Sequence, residues 1–288
     1  MRILIFGATG MLGYALHRVL HDAKFDVIGS VKEEVPSRFL SPRLKHLEHV
    51  NILDDASVSR TLTEVNPDVV INSTCNKDNQ NLNDLMWVNS VFPKRLEWMA
   101  SNRGMRLIHF STDGVFDGIQ GAPYNEEDLP NCQDPYGVTK LLGEVVGEGC
   151  YTFRLSLIGL TGKPNGSLLD WFLSQHGSVK GFSKYRFSGL PANEVAKFVS
   201  ALLLRPMDSL PFGIYHLASA PLSKLSLLKQ VGQVWNRPDL KLVEDDSVVI
   251  NRTLDGTRLN RLVSFEAPNW LEMLEGMKVF YDGSGVLK

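Results

Sequence analysis

The chain has 288 residues, 43% of them hydrophobic, and a formal net charge of −2. That length suits one large α/β domain, alone or with a smaller lobe, and the near-neutral balance excludes the basic field that nucleic-acid binding needs. Cys75, Cys132 and Cys150 stand without C-x-x-C spacing, which points to a reducing, cytoplasmic setting and to no metal site; no apolar run reaches membrane-spanning length, and the N-terminus reads as a strand rather than a signal peptide.

Residues 2–6 (RILIF) form a short apolar run that suits a buried parallel strand. Gly7, Ala8, Thr9, Gly10, Met11, Leu12 and Gly13 follow, with the spacing G-x-x-G-x-x-G, and open an amphipathic helix carrying Leu16, Val19 and Leu20. Between a first strand and a first helix, such glycines allow a tight turn and close approach of the backbone to a pyrophosphate. The helix N-terminus adds free N–H groups and the positive end of a dipole.

A second strand, Phe25–Gly29, ends near where an adenosine ribose would lie. The acidic residue that grips the ribose hydroxyls of NAD is not clear here. Ser30 and Lys32 could hold a 2′-phosphate, favouring NADPH, whereas Glu33 and Glu34 pull toward NADH. A third strand is expected within His46–Ile52, with Asn51 and Ile52 placed to meet the adenine edge. A helix over 56–65 and a strand over Asp68–Asn72 come next, delivering Ser73, Thr74 and Cys75 beside the cofactor. Asn83–Arg103 reads as one long helix holding Asn89, and Arg106–Ser111 as the fifth strand, with His109 a core histidine. The alternation of strand and helix implies right-handed crossovers and a Rossmann-type, doubly wound parallel sheet.

The fifth strand brings Ser111, Thr112 and Asp113 to its carboxyl end. Tyr136 and Lys140 follow at i, i+4, which places them on one helix face. A lysine ammonium beside a phenol favours the phenolate, so Lys140 is expected to lower the Tyr136 pKa. With a hydroxyl from Thr112 to hold a substrate oxygen, this is general-acid equipment for reducing a carbonyl. That helix is expected to continue to about Glu148, and Tyr151–Ser156 to form a sixth strand.

Beyond residue 156 the pattern loosens into a mixed region, 157–288. Helices are expected over Ser167–Gln175, 192–204, Ser223–Trp235 and Pro268–Phe280, and Ile214–Leu217 as a strand returning to the main sheet. Residues 1–156 are then the dinucleotide-binding domain, and 157–288 a substrate lobe with some elements on the main sheet. Within the lobe, Lys180, Lys184 and Arg186 alternate with Phe182, Tyr185 and Phe187, a grouping suited to a diphosphate and a base.

Together these residues resemble the extended short-chain dehydrogenase/reductase superfamily, and within it the dTDP-4-dehydrorhamnose reductase branch. The features that carry the resemblance are the glycine turn, Ser111-Thr112-Asp113 with Val115-Phe116-Asp117-Gly118, Tyr136-Gly137-x-Thr139-Lys140, Gly213-Ile214-Tyr215-His216-Leu217, and Arg258-Leu259 with Pro268-x-Trp270. The resemblance implies that Thr112, Tyr136 and Lys140 are catalytic and that a nicotinamide cofactor reduces C4 of a nucleotide-linked 4-keto-6-deoxy sugar. It also implies that Lys140 binds the nicotinamide ribose, that Asn89 supports the site, and that Asp113 lies against the substrate. The chain departs from the branch at Gly114 and Leu157, where aromatic residues are usual. The lost bulk leaves a UDP-2-acetamido-2,6-dideoxy-4-ketohexose as an alternative substrate. An epimerase, or a non-catalytic regulatory subunit of the same fold, is an alternative class, and a homodimer is left open.

Overall fold

The computed structural model describes residues 1–32, 47–77, 81–119, 123–163, 165–206 and 209–282. β1 (Arg2–Phe6), α1 (Met11–Asp22), β2 (Asp26–Val31), β3 (Leu47–His49), α2 (Asp55–Val65), β4 (Val69–Asn72), α3 (Leu82–Met86), α4 (Phe92–Ser101), β5 (Arg106–Phe110), α5 (Pro135–Leu142) and β6 (Cys150–Arg154) make up the N-terminal half. The rest runs β7 (Leu157–Ile158), α6 (Leu168–Leu173), β8 (Gly177–Phe182), β9 (Tyr185–Phe187), β10 (Leu190–Pro191), α7 (Ala192–Leu203), β11 (Gly213–His216), β12 (Leu222–Ser223), α8 (Lys224–Val234), β13 (Leu240–Asp245), β14 (Ile250–Asn251), α9 (Thr257–Val263) and α10 (Trp270–Asp282).

Seven strands build one parallel sheet in the order β11-β6-β5-β4-β1-β2-β3. Strand apolarity explains its burial on both faces. In β1, Ile3 and Ile5 join one core while Leu4 and Phe6 join the other. β4 divides likewise, with Val69 and Ile71 on one side and Val70 on the other. The first core lies under α1, α7 and α10, and the second under α2 and α4. The strand order reverses between β1 and β4, and a ligand cleft belongs at the carboxyl ends of the strands on either side of that point.

The strand expected over Ile214–Leu217 is β11, Gly213–His216. β11 pairs in parallel with β6, from Gly213 opposite Tyr151 to His216 opposite Arg154, and α7 packs on α1. The remaining strands form three small sheets, β7 with β10, β8 with β13, and β9 between β12 and β14. No helix among the described residues is long and apolar enough to cross a membrane.

Three expectations need correction. The third strand is shorter than 46–52 and occupies Leu47–His49 at the sheet edge. The long helix expected over 83–103 is divided by a π-helical turn, Trp87–Val91, that contains Asn89. The helix carrying Tyr136 stops at Leu142, well short of Glu148. Tertiary partners outcompete further helix there: Glu144 turns to Arg154, the Val145 N–H donates to Thr152 Oγ1 at 3.0 Å, and Glu97 Oε1 accepts the N–H groups of Val146 and Gly147 at 2.8 and 2.7 Å.

Candidate active site

A cleft of about 700 Å³ opens at the carboxyl ends of β1, β4, β5 and β6. Gly7, Gly10, Met11 and Leu12 line one end of it. Gly7 has φ +84°, a conformation that disfavours a side chain, and its carbonyl accepts the Gly10 N–H at 3.0 Å. Gly13 lies beneath the turn, where a Cβ would stand 2.0 Å from the Gly7 carbonyl oxygen. A Cβ on Gly10 would meet only that oxygen, at 3.3 Å. α1 begins here with no side-chain cap and no acid in its first turn, leaving its N–H groups and dipole to the cleft. These features fit a pyrophosphate.

The other residues expected at a cofactor divide. Ile52, Ser73, Thr74 and Cys75 line the cleft, whereas Thr9 and Asn51 do not. Ser73 Oγ donates to the Phe6 carbonyl at 2.7 Å and Thr74 Oγ1 to Asn72 Oδ1 at 2.6 Å, so both hydroxyls brace strand ends. Asn51 folds onto its own loop, Oδ1 accepting the Leu53 N–H at 3.1 Å. Ser30 is buried, with its hydroxyl 3.4 Å from the Gly7 nitrogen and its carbonyl accepting the Ala8 N–H at 3.1 Å. It therefore supports the glycine turn from below. Lys32 is exposed at the end of β2, and Glu33 and Glu34 lie outside the described residues.

Asn89 is fully buried and holds a loop. Its Oδ1 accepts the Asn76 N–H at 2.9 Å, and its Nδ2 donates to the Asn76 carbonyl at 2.8 Å and to Thr139 Oγ1 at 3.2 Å. It joins the segment after β4 to α5 without lining the cleft itself.

Thr112, Asp113, Tyr136 and Lys140 all line the same cleft. Asp134 caps α5, accepting the Gly137 N–H at 2.8 Å, and Pro135 occupies the first turn, so the helix start that presents Tyr136 is set locally. Thr112 Oγ1 accepts the Gly114 N–H at 3.1 Å and holds a short 3-10 turn, Asp113–Val115. Lys140 is buried, and its ammonium donates to the Phe110 carbonyl at 2.7 Å. Beneath them a buried ion pair ties β6 to the end of α5. Arg154 donates through Nε and Nη2 to Glu144 at 2.7 and 2.8 Å, and Ser111 Oγ donates to the same carboxylate at 2.7 Å.

The electrostatics differ from expectation. Burial pushes the Tyr136 phenol well above its ordinary value, and the neighbouring Cys75 adds to the rise, while a hydrogen bond with Thr112 opposes it. The Lys140 ammonium is turned to the Phe110 carbonyl and is itself lowered by burial. Asp113 is raised by burial to about 6, against the pull of Arg252 and Lys224. His109 is held neutral by burial and by Lys140, its Nδ1 3.2 Å from Asn72 Nδ2.

Lys180 and Arg186 do not reach the cleft. β8 alternates, burying Val179 and Gly181 and leaving the Lys180 side chain 76% exposed, 3.5 Å from Asp245. Arg186 is likewise on the exposed side of β9. Arg252, just beyond β14, lines the cleft instead, together with Lys77. A lone arginine in Ile250-Asn251-Arg252-Thr253 carries no local signal; only the pairing of β14 with β9 brings it there.

The chain belongs to the family described as RmlD substrate binding domain, whose model matches residues 1–275. Among curated relatives, methionine adenosyltransferase 2 subunit beta of Xenopus tropicalis is 27% identical over 91% of this chain and 82% of its own length. The "probable low-salt glycan biosynthesis reductase Agl14" of Haloferax volcanii is 35% identical, but the match spans only 50% of this chain and 48% of that protein. The structure of dTDP-4-dehydrorhamnose reductase from Bacillus anthracis, in complex with NADP, superposes with a TM-score of 0.79 at 18% identity, covering 97% of this chain and 99% of that one. That similarity establishes the doubly wound fold.

Proposed function

We propose that this protein reduces the C4 keto group of a nucleotide-linked 6-deoxy-4-ketohexose, with NADPH as the reductant. The observation that carries the reading is the convergence of Thr112, Tyr136 and Lys140 with the Gly7–Gly13 turn on one cleft. A nicotinamide dinucleotide, when bound, supplies the hydride. Tyr136 donates its phenolic proton to the oxygen on which negative charge develops. A phenol held protonated by its surroundings is in the correct state for that donation. Thr112 holds the same oxygen from the other side, and Lys140 steadies the floor of the site through the Phe110 carbonyl and offers its remaining N–H donors to ribose hydroxyls. Asp113 lies against the sugar.

The solved relative with NADP and the exposed Lys32 at the end of β2 favour NADPH, whereas other similar structures were solved with NAD. Gly114 and Leu157 both line the cleft, so the aromatic bulk usual in the rhamnose branch is absent from its wall. This supports the wider UDP-2-acetamido-2,6-dideoxy-4-ketohexose as an alternative substrate. The similarity to methionine adenosyltransferase 2 subunit beta, which extends along most of this chain, supports a second reading as a non-catalytic subunit. Loss of NADPH absorbance on adding 4-keto sugar nucleotides decides between them: turnover establishes the reductase, and binding without turnover the subunit.

We also infer that two copies associate through α4 and the end of α5. Trp98 is 68% exposed there, beside exposed Leu142 and Val146, and Trp98, Met99 and Leu142 line a second hollow of about 610 Å³. Sedimentation of wild type and Trp98→Asp tests this: a dimer that the substitution dissociates supports it, and a wild-type monomer ends it.

A further inference from the structure

Asp170 lies in the first turn of α6 and does not itself line the cleft. One of its oxygens collects three donors. Asp170 Oδ2 accepts the Thr161 N–H at 2.9 Å, the Thr161 Oγ1 hydroxyl at 2.7 Å and the Ser167 Oγ hydroxyl at 2.8 Å. An acid three residues past a serine cap ordinarily turns back to the backbone N–H of the cap. Here the helix start is already served, because Ser167 Oγ accepts the Asp170 N–H at 3.0 Å. The carboxylate turns instead to Thr161, nine residues earlier in the chain, and Thr161 lines the cleft.

The same bonds close this part of the wall on itself. Thr161 Oγ1 also accepts the Lys163 N–H at 3.2 Å, and a Cβ on Gly166 would stand 2.1 Å from that oxygen. Only glycine fits there, and Gly166 lines the cleft with Thr161. A second anchor comes from α10. The Leu160 N–H donates to the hydroxyl of buried Tyr281 at 3.3 Å. A Cβ on Gly159 would stand 2.9 Å from that hydroxyl and from the Met11 side chain, and Met11 opens α1 at the glycine turn. Consecutive N–H groups, of Leu160 and Thr161, are therefore held by different helices. α10 secures the side next to the glycine turn, and α6 the side that continues into the lobe.

We propose that Asp170 is a positioning residue: it fixes Thr161 and Gly166 as the part of the cleft wall that receives the sugar nucleotide, and so sets affinity for that ligand without touching it. The proposal rests on the nucleotide-sugar reading above. A wall ordered in advance need not be ordered when the ligand binds, which removes that entropy from the cost of binding. Tyr281 keeps the glycine-turn side in place when the carboxylate is lost. Thr112, Tyr136 and Lys140 are set by bonds within β5, α5 and the turn between them. The loss therefore falls on the sugar nucleotide.

The test is calorimetric titration of the NADPH-loaded protein with UDP-glucose and dTDP-glucose, for wild type, Asp170→Ala and Asp170→Asn, with NADPH titrated separately. Releasing the wall should weaken sugar-nucleotide binding by about 5–50-fold in Asp170→Ala, with NADPH affinity unchanged. Asp170→Asn, which keeps one oxygen able to accept the Thr161 N–H, should fall between the two. In turnover of a 4-keto sugar nucleotide the loss should appear in KM, with kcat nearly unchanged. Asp170→Ala binding both probes as tightly as wild type would overturn the proposal, as would a wild type that binds neither. So would a variant whose NADPH affinity falls as far as its sugar-nucleotide affinity, since the bonds would then serve the fold alone. If the probes bind and depend on Asp170 but no 4-keto sugar nucleotide is turned over, the reductase reading fails while the positioning role stands.

Discussion

The thiol of Cys75 lies 3.7 Å from the phenolic oxygen of Tyr136. Cys75 is exposed to the cleft and its neighbourhood helps keep the phenol protonated. The thiol therefore sits against the phenol, and the phenol is held against ionising.

From this follows a mutational pair. Tyr136→Phe keeps the ring and loses the hydroxyl, so turnover should fall by about 10²–10⁴-fold with NADPH binding intact. Cys75→Ala removes a group that raises the phenol. In the oxidative direction the phenolate acts as base, so the rate rises with pH through the Tyr136 pKa. That limb should move to lower pH in Cys75→Ala. Rates of NADP⁺ reduction across pH provide the measurement, and an unmoved limb would remove Cys75 from the account.

The glycine turn makes an opposite pair. Gly13→Ala would press a methyl onto the Gly7 carbonyl, at 2.0 Å, so the fold itself should lose about 1–3 kcal/mol or more. Gly10→Val meets little protein and should leave the melting temperature nearly unchanged while abolishing NADPH binding. Calorimetric melting and NADPH titration of both variants separate the two roles; a stable Gly13→Ala or an NADPH-binding Gly10→Val contradicts them.

Burial raises Asp113 to about 6 from an ordinary 3.8, so the folded state binds this proton more tightly than the unfolded chain. The stabilisation is full below the lower value and is lost as pH rises through the higher one. Asp113→Asn should therefore match wild type near about pH 4 and exceed it by about 1–3 kcal/mol near about pH 8. Denaturant unfolding at the two pH values checks the sign.

Glu144→Gln would leave Arg154 buried beside a neutral partner. Breaking one side of a buried pair costs about 3–5 kcal/mol. The same change loosens Ser111, which donates to that carboxylate at 2.7 Å just before Thr112. Unfolding by denaturant and kcat together should both fall; an unchanged unfolding midpoint would show the pair to be dispensable.

What could be read from residues alone was whatever local spacing encodes. The glycine turn, the helix-face pairing of Tyr136 with Lys140, and the apolar strands β1, β4 and β5 all announce themselves within a few residues. The cations of the lobe do not. In β8 the strand period turns Lys180 outward while Val179 and Gly181 face in, and the aromatic–basic mixture around it conceals that alternation. Arg252 reaches the cleft because β14 pairs with β9, some 65 residues earlier in the chain; short strands brought together over such distances carry almost no sequence signal. The Tyr136–Lys140 pairing was also legible only as proximity, since the carbonyl that claims the lysine comes from the end of β5, outside the helix.

The π-helical turn at Trp87–Val91 amounts to one residue too many for an α-helix in that space. It bulges the backbone locally while α3 and α4 keep their phase. Were one residue deleted there, the turn would close into a regular α-helix and the bulge would be lost. Asn89 would swing off Thr139, and its carbonyl would leave the gap beside Gly143, where even a Cβ would stand at 1.9 Å. Homologous chains that keep the turn and those that lack it should thus fall into two separate geometries at this seam, with Gly143 required only in the first.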